Sequence, residues 1–79
     1  MQLNKAISFR LIQLMAERQM TTYMLFTKTG LAKTTVYNMV GSKNEAVNLK
    51  SLHVICQGLG ITLEEFFRSD LFSNENLDP

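Results

Sequence analysis

Seventy-nine residues, 46% of them hydrophobic, make one small domain with one core and little room for a second cavity. The lone Cys56 cannot close an internal disulfide, which points to a reducing, cytoplasmic setting. No apolar run approaches the ~20 residues that span a bilayer, and the opening MQLNKAISFR lacks the basic start and apolar core of a secretory signal. The net charge of +1 hides a division: residues 1–50 hold seven Lys and Arg against two Glu, a net +5, and residues 51–79 hold one Arg against five acidic residues, a net −4. A basic front suits a face turned to a polyanion.

The first predicted helix covers residues 4–18, with Asn4 as its cap. Ile7, Leu11, Leu14 and Met15 form one apolar stripe. Phe9 and Ile12 lie on a second flank, so something besides the main core covers that side. Thr21 caps a second helix that runs to Thr29, its hydroxyl accepting from an otherwise unpaired backbone N–H. Gly30 follows, where a positive φ costs least.

Leu31 turns inward before a third helix, Lys33 to Val40, whose buried side is Val36, Met39 and Val40. Its β-branched run Thr34-Thr35-Val36 has poor helix propensity, so packing must hold it. Gly41 ends it, and residues 42–47 read as a loop. Asn48 caps a fourth helix, Leu49 to Leu59, with Leu49, Leu52, Ile55, Cys56 and Leu59 at helical spacing. Thr62 opens a fifth helix, with Glu65 three residues on as a capping box. Leu63, Phe66 and Phe67 supply its apolar side. Residues 73–79 read as a polar, acidic tail that frays beyond Phe72, outside a domain of residues 1–72.

The stretch TTYMLFTKTGLAKTTVYNMVG, Thr21 to Gly41, carries the chemistry. Leu25, Leu31, Val36 and Met39 lock two helices around Gly30 and leave the outer face of the second one free. A major groove admits one α-helix and offers a distinct edge pattern for each base pair. Lys33 can donate to guanine O6 and N7, Asn38 can pair with adenine, and Thr34 can meet a base or the thymine methyl. Tyr37 reaches a phosphate or stacks on a sugar. Lys28 and Lys43 add salt-sensitive attraction to the backbone.

This stretch, with NLKSLHVICQGLGITLEEFF after it, resembles the lambda-repressor/Cro-like helix-turn-helix family, also called XRE, over about residues 7–68. The resemblance implies a compact five-helix, all-α domain with its helix-turn-helix at the second and third helices. It also implies a sequence-specific regulator of transcription, a repressor, in a bacterium, phage or mobile element. By the resemblance, Thr22 is a phosphate-contacting position. Lys33 and Thr34 are the first base readers, and Tyr37 and Asn38 fall on the next outward turn. Ser42, Lys43 and Asn44 lie in the backbone-contacting loop, and Asn48 is a cap that often joins them. Two positions depart from the pattern: Phe26 stands where the family has alanine, and Ala32 stands where it often has a capping serine.

One short recognition helix reads few base pairs, so the implied partner is double-stranded DNA with an inverted-repeat operator, bound by a homodimer. Phe66, Phe67, Leu71 and Phe72 are the expected dimer surface, with Phe9 and Ile12 joining them or covered by the tail. An alternative use of the same fold is an antitoxin-like or anti-regulator protein-interaction module with weak DNA binding.

Nothing in the pattern calls for an enzyme, a cofactor, a small-molecule ligand or a metal. His53 and Cys56 at i, i+3 supply two ligands, which make no closed site. Glu64 and Glu65 are neighbours on a helix and do not face each other. Met15, Met20, Met24 and Met39 read as core filler.

Overall fold

The computed structural model describes residues 1–43 and 46–79. Among them every regular element is helical: α1 (Leu3–Glu17), α2 (Thr22–Thr29), α3 (Lys33–Val40), α4 (Leu49–Leu59) and α5 (Leu63–Phe67), followed by a 3-10 turn at Asp70–Phe72. The body measures 35 × 22 × 19 Å.

Local chemistry starts and stops these helices. Thr21 Oγ1 accepts from Met24 N, Asn48 Oδ1 from Ser51 N and Thr62 Oγ1 from Glu65 N, each at 3.1 Å. Gly30 and Gly60 take the left-handed conformation, φ +72° and +76°, that ends α2 and α4. Gly41 behaves differently. It keeps a right-handed φ of −87°, and the left-handed residue after α3 is Ser42, φ +51°. Lys43 N then donates back to Asn38 O at 2.9 Å.

The core gathers Leu11, Leu14, Leu25, Val36, Leu52, Ile55, Cys56 and Phe66, all nearly or fully inaccessible. Helix α1 does more than cover it. Among the described residues Asn4 and Ser8 are the buried polar ones, and both bond at the end of α3. The Ser8 hydroxyl donates to Val40 O, and Asn4 Nδ2 donates to Ser42 O at 3.4 Å. Arg18 Nε donates to Leu59 O at 2.9 Å, at the end of α4. Arg10 donates through Nε and Nη2 to Phe66 O and Glu65 O, both at 2.8 Å, at the end of α5. The last carbonyls of a helix have no partner within it. One helix thus supplies that partner to three others.

Several expectations change. Asn4 is not the cap of α1: it is the second residue of the helix, buried, and Gln2 occupies the cap position with no side-chain bond. Leu49 is 61% exposed rather than part of the α4 stripe, and Met24 is exposed rather than core. Phe66 is fully buried and closes the core, so it offers no dimer surface. Its ring packs with Phe67 and Phe72 in one cluster, with centroids 5.2 and 6.0 Å away. Phe67, Leu71 and Phe72 are half-buried.

The tail does not fray. The Asn76 side chain donates to Asp70 O, Asp78 N donates to Met1 O, and the Met1 amino group meets Asn76 O and Asp78. On α4, Gly58 faces α2 so closely that a Cβ there would stand 3.1 Å from Thr29 Cγ2 and 3.5 Å from Leu25 Cδ1.

Two outcomes follow from the core. Ser8→Ala should cost about 1 kcal/mol despite alanine's better helix propensity, because the half-buried Val40 carbonyl loses its donor. Urea unfolding should show a lower midpoint at unchanged slope. Burial pushes the Cys56 thiol from 9.0 up to about 11. The unfolded chain therefore releases that proton near pH 9 while the native protein holds it. This contribution to stability is full below pH 9 and is lost as pH rises toward 11. At pH 8 a thiol reagent should label the native protein only as fast as it unfolds.

Candidate nucleic-acid interface

Helices α2 and α3 meet around Gly30 and pack on each other, with Leu25 and Val36 fully buried. Leu31 packs half-buried at the turn. The Phe26 ring lies at the edge of the core, tilted against Tyr23 with centroids 5.8 Å apart. The bulky residue is thus turned to the margin, and α2 and α3 remain packed together. Ala32 sits at the cap of α3 with extended backbone and no side-chain bond. Helix α3 therefore begins uncapped, and the carbonyls at its end are met by Ser8 and Asn4.

The outward face of α3 presents Lys33 and Thr34 in solvent, Tyr37 at 39% exposure and Asn38 half-buried. Lys33 Nζ stands 5.6 Å from the centroid of the Tyr37 ring, a cation–π contact one turn along. Beside this face runs a polar cleft of about 310 Å³. Thr34, Thr35 and Asn38 form one wall, and Ser42, Asn48 and Ser51 form the other. Thr35 and Ser51 were not singled out from sequence. Each lies next to, or one turn from, a residue that was, and helical spacing alone would have added them.

Of the remaining described sites, Ser42 and Asn48 line this cleft and Thr22, Lys28 and Lys43 do not. Lys28 is exposed in the last turn of α2, Lys43 is exposed after α3, and Thr22 is half-buried at the start of α2. Ser42 is half-buried, its carbonyl occupied by Asn4. Asn48 commits Oδ1 to Ser51 N, which leaves its amide nitrogen for a partner. Asn44 lies outside the described residues.

The charge pattern sharpens. Arg10 and Arg18, counted in the basic front, are spent on helix ends, and Arg68 pairs with Glu64 at 2.7 Å. Among the described residues no lysine pairs with a carboxylate. The side chains of Lys5, Lys28, Lys33, Lys43 and Lys50 are therefore exposed cations with no carboxylate partner, while Arg10 and Arg18 keep their charge but are held in place by carbonyls. His53 is at the surface and Cys56 is in the core, so the two do not share a site. Among the described residues no group of three His, Cys, Asp or Glu could hold a metal. No described helix is long and apolar enough to cross a membrane.

A family model described as a Cro/C1-type HTH DNA-binding domain matches residues 10–69. Two solved structures are similar. The prophage Lp1 protein 11 has a TM-score of 0.79 and 24% identity, over 89% of this chain and 93% of that one. A mutant of the restriction-modification controller protein C.Esp1396I has a TM-score of 0.74 and 28% identity, over 85% and 86%. No curated protein matches the chain.

The uncapped start of α3 can be tested directly. Ala32 already has the extended backbone of a cap (φ −59°, ψ 141°), so Ala32→Ser should add about 0.5–1 kcal/mol. In thermal unfolding that is a rise of roughly 2–8 °C in Tm for a domain of this size.

Proposed function

The chain belongs to the Cro/C1-type helix-turn-helix DNA-binding family, and from that premise we propose that it is a repressor that reads the major groove with α3. The observation that carries this reading is the outer face of α3. Lys33, Thr34 and Tyr37 are exposed and Asn38 is half-buried at the edge of the cleft, while Val36 and Met39 are buried on the opposite side of the helix. Lys33 donates to guanine and Asn38 pairs with adenine, with Thr34 between them. The contact of Lys33 with the Tyr37 ring holds the ammonium in place before DNA arrives.

Lys28 and Lys43 take phosphates on either side, and Thr22, Ser42, Asn44 and Asn48 complete the backbone contacts. The operator is an inverted repeat and the protein binds it as a homodimer, since one eight-residue helix spans too few base pairs for specificity. The setting is the cytoplasm of a bacterium, where a phage or mobile element would also place it.

Selection of bound fragments from a random duplex pool, followed by a salt series on the recovered sequence, tests the reading. Log affinity should fall linearly with log salt. Lys33→Ala and Asn38→Ala should each cost about 1–3 kcal/mol on that sequence and relax one position. Lys28→Ala and Lys43→Ala should weaken all sequences alike and lower the salt slope by about 1. Failure to enrich any sequence, with Lys33→Ala and Asn38→Ala indistinguishable from wild type, would leave the protein-interaction module as the better reading.

A further inference from the structure

A shallow groove of about 410 Å³ runs between α1, the connection to α2 and the end of α3. Ile12, Ala16, Met20 and Val40 give it apolar walls, and Thr22 stands on its rim. Phe9 lies three residues before Ile12, on the same face of α1. The two are 52% and 47% exposed, and the tail, held at Met1, leaves them uncovered. The core does not need them, since α1 reaches it through Ile7, Leu11, Leu14 and Met15.

The charge bordering this strip has one sign. Lys5 is exposed four residues before Phe9, at the spacing that shares a helix face. Lys43 folds its stem back beside Val40: a Cβ on Gly41 would stand 3.5 Å from Lys43 Cγ. Neither lysine has a carboxylate partner among the described residues, and no described carboxylate lines the groove. Glu17, the one acidic residue of α1, lines a separate cleft with Arg10, Arg18 and Glu65.

We propose that this groove receives an acidic amphipathic helix of a second, regulatory protein. Its apolar side lies on Phe9 and Ile12, and its carboxylates meet Lys5 and Lys43. From Lys5 to Ala16 the face is about 16 Å long, which matches three turns of a partner helix. A second copy of this chain does not supply such a helix. Its five carboxylates after position 50 fall on α5 and the tail. Helix α5 has five residues with Phe66 in the core, and the tail is tied to Met1. The docked helix also displaces DNA, because it covers Thr22 and engages Lys43, both assigned to phosphates. That displacement rests on the DNA reading above; the docking itself does not.

The probe is a 16-residue helical peptide with leucines on one face and glutamates flanking them, beside the same peptide with lysines replacing the glutamates. Each is titrated into the full chain and followed by NMR. The acidic peptide should shift the amides of Phe9, Ile12, Met20 and Val40, and the basic one should bind at least about tenfold more weakly. Phe9→Gln and Lys5→Glu, both at exposed positions, should each weaken the acidic peptide at least about tenfold. Leu49→Gln, at an exposed leucine on α4, should leave it unchanged. Saturating acidic peptide should release the selected duplex.

Equal binding of the two peptides, shifts centred elsewhere, or affinity unmoved by Phe9→Gln and Lys5→Glu would overturn the proposal. So would self-association of the chain that Phe9→Gln abolishes, since a second copy would then be the occupant. A duplex that stays bound at saturating peptide overturns the displacement. Groove binding by a chain that selects no DNA sequence upholds the docking and removes the operator reading instead.

Discussion

The rest of the structure depends on the side chains that α1 sends to the ends of its neighbours. Short helices are marginal in water, and their last carbonyls are the groups they cannot satisfy alone. Here α3, α4 and α5 have eight, eleven and five residues. Ser8 and Asn4 close the first, Arg18 the second and Arg10 the third. These bonds link positions 32 to 56 residues apart. They fix where the outer helices stop as well as where they lie.

That arrangement separates two kinds of positive charge. A guanidinium presents several donors in a fixed plane and suits two carbonyls of a helix end. The arginines are used that way or, at Arg68, in an exposed pair with Glu64. The lysines, compact charges on flexible stems, are left exposed, Lys33 on α3 and Lys43 just after it. A charge count along the chain mixes the two groups. The count is right about charge, but it does not tell the arginines held at helix ends from the lysines left mobile at the surface.

What could be read from the chain was local. Thr21, Asn48 and Thr62 each bond a backbone N–H three residues on, so residue type and spacing suffice to identify them. Gly30 and Gly60 follow an apolar run and end it. The helix-turn-helix and its outward residues were legible for the same reason, since helical period assigns both faces at once. Ser8, Arg10 and Arg18 were not, because their partners lie far along the chain and carry no signature. Asn4 misled: a capping residue type near a helix start is right in kind, but its side chain turns to a different helix. At Leu49 the period is correct and the burial is not, because the first turn of α4 extends past the core.

Gly58 lets α2 lie close on α4: a Cβ there would stand 3.1 Å from Thr29 Cγ2 and 3.5 Å from Leu25 Cδ1, so a side chain at this position would require a shift of a few tenths of an ångström between the two helices. Because α2 packs on both α3 and α4, the spacing of two outer helices is set in part by a methyl group that is missing from the interior.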